Sequence, residues 1–153
     1  MPESRFVYVT YIRTTPEKLW EALIDPEFTR RFWVETWQES EWKAGAPWRM
    51  LTPDGRVHST GEIIECEPGR RLVLSWFCHL FPELQPEGHS RVTYELQQVG
   101  DSVKMTFIQE NDTPDSKTIN MASQGWPLIL ASLKSLLETG SPLEATRHFP
   151  KGM

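Results

Sequence analysis

Residues 126–137 have the sequence WPLILASLKSLL, and this stretch decides the fold. Its apolar side chains recur at spacings of three and four residues, which predicts a helix with one apolar face. Gly140 and Pro142 predict the end of the helix, because glycine favours the C-cap and proline does not continue a helix. Pro127 lacks the N–H that a helix interior uses, so we expect it in the first turn or at a kink. The polar residues 111–123 can begin this helix earlier.

The chain before this helix predicts a sheet with one apolar face. Turn signals divide residues 35–110 into about six short runs. In the later runs apolar and polar residues alternate, so one face of an antiparallel sheet is dry and the other is mostly wet. The apolar positions are Leu72, Leu74, Trp76, Val92, Tyr94, Leu96, Val103, Met105 and Phe107. The dry face of the sheet and the apolar face of the helix can therefore bury each other.

The N-terminal part predicts one strand and two short helices. Residues 6–12, FVYVTYI, have the composition of a strand that is buried on at least part of both faces. Thr15 and Pro16 predict a helix start, whereas Asp25 and Pro26 end that helix and open a second one. The predicted fold class is α+β, with a curved antiparallel sheet of about seven strands, two short helices after strand one and a long C-terminal helix.

Length and composition limit the organisation of the chain and its partners. The 153 residues predict a single domain over 1–153, with a core of about residues 5–140 and a loose basic tail over 141–153. A formal net charge of −5 argues against binding to nucleic acid or anionic lipid, which relies on clustered Lys and Arg. No apolar stretch is long enough to span a membrane and no signal peptide is evident, so we expect a cytoplasmic protein without membrane insertion.

Three residues are candidates for acid–base chemistry. His58 and Glu62 are four residues apart on a predicted strand, which would place them on the same face. A buried histidine beside a carboxylate can act as a general base, whereas the alternative is a solvated strand face. Tyr94 is the third candidate. The identity of any catalytic residue stays open at this point.

The cysteines and histidines predict neither a disulfide nor a metal site. Cys66 and Cys78 are too few for a disulfide scaffold, so we expect free thiols. Cys78, His79 and His89 are residue types that bind zinc, but their spacing fits no tight zinc pattern and a fourth ligand is not evident. Nucleophile motifs and phosphate-binding loops are absent as well. We therefore expect no metal and no cofactor.

Seven tryptophans are the one compositional excess. Aromatic rings with a polar edge suit a ligand pocket between sheet and helix, and this interpretation requires a cavity of at least about 300 Å³ beneath the helix. The alternative is a filled core. The apolar run 76–82 enters a loop that extends to residue 89, which could gate a pocket, form a dimer patch or fold back over the core. The candidate ligand-binding residues are Trp33, Trp48, Met50, Trp76, Tyr94, Phe107, Trp126 and Leu130.

Several strings in this sequence resemble the signatures of one family. They are residues 15–23, TPEKLWEAL, with Asp25-Pro26; residues 44–50, AGAPWRM, with residues 53–55, PDG; residues 61–65, GEIIE, with Pro68 and residues 71–76; and Gly125-Trp126. Their order is similar to that of the activator of heat-shock-protein (ninety-kilodalton) ATPase homologue family of the START-like, or SRPBCC, superfamily. The resemblance covers roughly residues 5–140 and implies the helix-grip fold of the birch-pollen allergen.

The resemblance implies a pocket but no reaction, because function resides in sites placed on folds. We expect the chain to bind a small hydrophobic or aromatic molecule between the sheet and the C-terminal helix. Two alternatives are a chaperone-associated interaction module and a cyclase- or hydrolase-like enzyme that uses the same cavity. A homodimer is also left open.

Overall fold

A curved seven-stranded antiparallel sheet wraps around one long helix in the computed structural model, which describes residues 2–151. In chain order the elements are β1 (Ser4–Ile12), α1 (Pro16–Ile24), α2 (Pro26–Phe32), β2 (Trp37–Ser40), β3 (Pro47–Leu51), β4 (Val57–Glu67), β5 (Arg71–Cys78), β6 (Ser90–Val99), β7 (Ser102–Asn111) and α3 (Lys117–Thr139). The strands lie in the order β1-β7-β6-β5-β4-β3-β2, so β1 and β2 form the two edges. The predicted α+β helix-grip fold is confirmed.

The two short helices begin where the sequence predicts. The N–H of Lys18 donates to Thr15 Oγ1 at 3.2 Å and the N–H of Glu27 donates to the Asp25 carboxylate at 2.8 Å. Each helix also has proline at its first position. These caps satisfy N–H groups that the first turn of a helix leaves unpaired, so local sequence is sufficient to start both helices.

The core lies between the inner face of the sheet and α3. All nine side chains predicted to face inward from β5, β6 and β7 are buried, but Val73 and Thr93 on the opposite face are buried too. From the helix, Trp126, Leu130, Leu133 and Leu136 complete the same hydrophobic cluster. One face of the sheet and one face of the helix therefore exclude water from each other.

Strand β1 differs from its prediction on one face. Val7, Val9 and Tyr11 are 48%, 47% and 49% exposed, while Phe6 and Tyr8 pack against the core. The prediction of burial on both faces is wrong for these three outer side chains. β1 lies at an edge of the sheet, and its outer face is directed towards solvent.

Helix α3 begins at Lys117, well before the apolar stretch that starts at Trp126. Pro127 therefore lies inside the helix rather than in its first turn. It cannot donate to the carbonyl of Ser123, but Ser123 is exposed, so water can take the place of the missing N–H. No helix in the described part of the chain is long and apolar enough to cross a membrane.

The C-terminal segment packs on the domain. A single 3-10 turn, Glu144–Thr146, buries Thr146, whose hydroxyl lies 2.6 Å from Ser132 Oγ. The carbonyl of Thr146 also accepts from the N–H of Val34 at 2.8 Å. These hydrogen bonds attach the segment at Thr146 to α3 and to residue 34, while the division into a core and a tail over 141–153 stays a prediction. Residues 152 and 153 lie outside the described residues, as does residue 1 of the predicted domain.

Strand β4 carries two irregularities and one close approach. Its pairing with β3 shifts so that His58 is an extra residue, and its pairing with β5 shifts near Ile64. At Gly61 the backbones of β4 and β5 are so close that an added Cβ would lie 1.8 Å from the carbonyl oxygen of Ser75. Only glycine fits at this position without movement of a strand.

We expect Gly61→Ala to lower the free energy of unfolding by about 1–3 kcal/mol, because one strand must shift to admit the methyl group. Urea denaturation measures this change. Gly125→Ala is the matched control: its Cβ would meet no atom within 4 Å, and alanine favours the helix, so stability should stay equal or rise by up to about 1 kcal/mol. A Gly61→Ala protein as stable as the wild type would contradict the close approach.

Candidate ligand-binding cavity

An apolar cavity of about 230 Å³ lies beneath the first half of α3. We call it the α3 cavity. The ends of β4 and β5 form one side of it, and β7 and the residues after α2 form the others. This volume is below the minimum of about 300 Å³ that the prediction required, so the prediction of a pocket of that size beneath the helix is wrong. Its lining from these elements consists of Trp33, Val34, His58, Trp76, Cys78, Gln109, Thr118, Met121, Ala122, Gly125, Trp126 and Ile129.

The eight predicted ligand-binding residues fall into two groups. Trp33, Trp76 and Trp126 line the α3 cavity. The other five are buried in the core outside its lining: Trp48, Met50, Tyr94, Phe107 and Leu130. Space in the middle of the domain is occupied by rings, whose centroids lie 4.1 Å apart for Phe107 and Trp126 and 4.3 Å apart for Trp48 and Trp76. This packing explains why the open volume is small and lies towards one end of the helix.

The three lining tryptophans form a connected wall. Trp33 is stacked on Trp76 at a centroid distance of 5.8 Å and meets Trp126 edge-on at 4.8 Å. Trp126 and Trp76 contact each other at 5.7 Å. Rings held by one another in this way present a fixed apolar surface, which suits a flat or ring-shaped ligand.

His58 supplies a polar group to this apolar site. As the extra residue in β4 it faces the cavity, because a bulge redirects the side chain at the insertion. Its Nδ1 lies 2.8 Å from Ser59 Oγ. Burial, helped by the positive charge of Arg56, lowers the pKa of His58 to about 4. The imidazole is therefore neutral near pH 7, and Nε2 is the nitrogen left for a ligand.

The three acid–base candidates do not come together. Glu62 is exposed on the outer face with Thr60 and Ser75, so the prediction that His58 and Glu62 share a face is wrong. The bulge at residue 58 breaks the regular alternation on which that prediction depended. Tyr94 is only 3% exposed and lies outside the cavity lining, and burial raises its pKa above the ordinary value.

The thiols and the other histidines are also dispersed. Cys66 and Cys78 are both free, and Cys78 pairs across the ladder with Ser59. Burial raises the pKa of the Cys78 thiol, which keeps it protonated. His79 points away towards Thr60, with Nε2 at 2.8 Å from Thr60 Oγ1. Among residues 2–151, no three His, Cys, Asp or Glu side chains are grouped so that they could hold a metal ion.

Two segments close the cavity from outside the sheet. The loop after β5 contributes Phe81 and Leu84, and the C-terminal segment contributes Phe149 and Pro150. The N–H of Phe149 donates to Glu35 Oε1 at 3.3 Å, which ties the C-terminal segment to the residues after α2. The loop 78–89 thus covers the end of the cavity and of the core.

Glu87 fastens the loop after β5 to the start of α3. Its carboxylate accepts hydrogen bonds from Ser116 Oγ at 2.6 Å, from the N–H of Lys117 at 2.8 Å and from the N–H of Thr118 at 3.0 Å. Partial burial alone would raise the pKa of Glu87, but these bonds and one from the Thr118 hydroxyl outweigh it and hold the pKa at about 2. The loop and the helix end are therefore held together by an ionised carboxylate above about pH 4.

Gln109, Phe149 and Pro150 line the cavity although no sequence pattern was used to predict them there. Gln109 follows Val103, Met105 and Phe107 on the inward side of β7, so the same alternation could have revealed a polar side chain at a dry position. Phe149 and Pro150 gave no such signal, because their contacts are made across the whole length of the chain.

Another depression, of about 300 Å³, lies on the outer face of the sheet. Charged side chains from β4, β5 and β6 dominate it, and Arg71 there pairs with both Glu65 and Glu95. Such a surface does not suit an apolar ligand, so the α3 cavity is the better candidate site.

Comparison with known proteins places this fold among described relatives. The family described as Activator of Hsp90 ATPase homolog 1-like protein matches residues 13–138. The protein MLL2253 from Mesorhizobium loti is 25% identical with a TM-score of 0.74, over 88% of this chain and 96% of that one. ChR145 from Cytophaga hutchinsonii is 28% identical with a TM-score of 0.71, over 92% and 97%. The curated proteins include no match to this sequence.

A third solved structure shares the fold at lower identity. It is described as the Aha1 dimer from Colwellia psychrerythraea, and it is 18% identical with a TM-score of 0.73, over 90% of this chain and 98% of that one. The family match spans most of the chain, from the end of β1 to the end of α3. This chain therefore belongs to the family of Activator of Hsp90 ATPase homolog 1-like proteins.

Proposed function

We propose that this protein binds a small, neutral, ring-containing apolar molecule in the α3 cavity. The observation that carries the proposal is the wall of three mutually packed tryptophans around open space, with neutral His58 beside it. Pockets for small molecules are mainly apolar and carry a few polar groups, and this arrangement fits that description.

The volume limits the size of the ligand. An engineered apolar cavity of about 150 Å³ holds benzene, whereas pockets for drug-sized molecules begin at about 300 Å³. The α3 cavity, at about 230 Å³, falls between these values. A molecule of one or two fused rings is therefore the expected ligand, unless the closing segments move outward to admit a larger one.

The closing segments also provide the route of entry in this proposal. Val34 and Glu35 hold the C-terminal segment, and both have positive φ, 42° and 63°. A β-branched residue is strained in this conformation, so the structure around it must compensate. Release of Phe149 from Glu35 would open the cavity without any change in the sheet.

The alternatives receive less support from the site. An enzyme would need an acid–base group that titrates near its working pH, and His58 is the only one of the three candidates that faces the cavity. A chaperone partner is suggested only by the family description. The chaperone partner, the homodimer and the cytoplasmic location stay predictions.

We expect Gly125→Leu to block binding, because residue 125 lies between Met121 and Ile129 on the cavity face of α3 and its Cβ would meet no atom within 4 Å. The Kd of 2-ethylnaphthalene, the probe, is measured by calorimetric titration. The Kd should rise at least about tenfold, which corresponds to about 1.4 kcal/mol.

The matched control for this blocking variant is Gln124→Leu, which places the same side chain on the exposed face of α3. This control should bind the probe like the wild type. Equal binding by Gly125→Leu and the wild type would show that the probe does not occupy the α3 cavity.

His58 also predicts how stability depends on pH. A histidine in the unfolded chain takes up a proton near pH 6.5, whereas folded His58 does so only near pH 4. Between these values protons favour the unfolded chain, so the free energy of unfolding falls as the pH falls, by up to about 1.4 kcal/mol per pH unit. Thermal denaturation at about pH 6.5 and about pH 5 should show a smaller loss for His58→Gln than for the wild type.

The control for the pH experiment is His89→Gln, which removes an exposed histidine that is not among the groups shifting the pKa of His58. This variant should keep the full dependence of the wild type. If His58→Gln lost as much stability as the wild type between the two pH values, the assignment of this dependence to His58 would be wrong.

A further inference from the structure

Gln109 places the amide of its side chain at the wall of the α3 cavity. Its side chain is 4% exposed and lines the α3 cavity. It continues the inward row of β7 after Met105 and Phe107, which are both fully buried. A polar side chain at the end of such a row is costly unless its hydrogen-bonding groups are paired.

Trp126 fixes the orientation of this amide. The indole Nε1 of Trp126 lies 2.8 Å from Gln109 Oε1. An indole N–H only donates, so the amide atom opposite it must be the oxygen, and the NH₂ group lies at the other end. In the part of the chain that the structure describes, no protein group accepts a hydrogen bond from this NH₂, and no buried side-chain nitrogen lacks a partner, so the NH₂ is open to the cavity.

The unpaired NH₂ points to a ligand with an acceptor atom. A ligand that covered this donor without accepting from it would leave it unpaired, at a cost of about 1–3 kcal/mol, whereas a ligand oxygen would pair with it. The Thr118 hydroxyl also lines the cavity, but it does not accept a hydrogen bond from Gln109. The cavity therefore contains a hydrogen-bond donor, and the surrounding protein provides no acceptor for it.

The charge of the cavity limits what that acceptor can be. His58 is neutral near pH 7, and Arg56, whose charge acts on His58, is already paired with Asp54 at 2.9 Å. Glu83 and Glu87 on the neighbouring loop are acidic and would repel one. A buried anion without a cation is strongly disfavoured, whereas a neutral carbonyl needs only the hydrogen bond.

We propose that the ligand of the α3 cavity carries a neutral carbonyl oxygen that accepts a hydrogen bond from Gln109 Nε2. This inference rests on the proposed function and names the chemical class of its ligand as an aromatic ketone or a similar neutral carbonyl compound. Gln109 is then a specificity-determining residue, and Trp126 positions it.

The test compares two probes of nearly equal shape, 2-acetylnaphthalene and 2-ethylnaphthalene, on the wild type and on Gln109→Met. Methionine keeps the length of glutamine but removes the donor. Because differences in probe hydration cancel between the two proteins, the ratio of the two affinities reports the hydrogen bond. We expect the preference for the ketone to fall about tenfold in Gln109→Met, as loss of a buried partner predicts.

The outcomes separate the two proposals. If neither probe binds the wild type, the proposed function fails and the inference fails with it. If both bind and their affinity ratio is the same in Gln109→Met, the inference is wrong while the proposed function stands. If the ratio falls in His58→Phe and not in Gln109→Met, the donor is His58 and the assignment to Gln109 is overturned.

A second measurement covers the case in which Gln109→Met folds poorly, since that variant leaves the Trp126 N–H unpaired. The infrared carbonyl stretch of 2-acetylnaphthalene bound to the wild type should lie below its value in hexane, because a hydrogen bond weakens the C=O bond. A stretch equal to that in hexane would overturn the proposal without any variant.

Discussion

The packing of Trp126 against the sheet is the contact on which the rest of the domain depends. Its ring lies 4.1 Å from Phe107 on β7 and 4.8 Å from Trp33 after α2, and its N–H bonds Gln109 at 2.8 Å. One side chain thus joins the long helix, the sheet and the short helices. On one side of it the interior is filled by rings, and on the other side lies the cavity. The position of Trp126 along α3 therefore sets the boundary between the filled hydrophobic core and the α3 cavity.

Much of the fold was predictable because it follows from local rules. The alternation along β5 to β7 gave the dry face, and the caps at Thr15 and Asp25 gave the two short helices. The start of α3 has a local signal too, because Ser116 is its N-cap and its Oγ accepts from the N–H of Ile119 at 3.1 Å. Glu87, about thirty residues earlier in the chain, adds a second cap, since its carboxylate accepts from the first N–H groups of the helix. Only this second cap has no signature in the sequence around residue 117.

The site was harder to predict than the fold, for two physical reasons. Whether tryptophans fill a core or line a cavity depends on how the rings pack, so the sequence could not separate Trp48 from Trp33. The direction of His58 depends on a bulge, which results from pairing between strands and not from the spacing of residues. Gln109 is the exception, because the alternation along β7 predicts that this polar side chain faces inward.

The electrostatics of the cavity favour binding over proton transfer. Burial lowers the pKa of His58 to about 4 and raises that of the Cys78 thiol, so both groups are neutral across the pH range around 7. A general acid or base is most effective when its pKa lies near the working pH, and neither group meets that condition. Under the proposed function, a neutral and largely apolar cavity would retain a ligand by excluding water and by a few directed hydrogen bonds. The N–H donor of Gln109 then matters for specificity, because in uncharged surroundings a single hydrogen bond can decide which molecules bind.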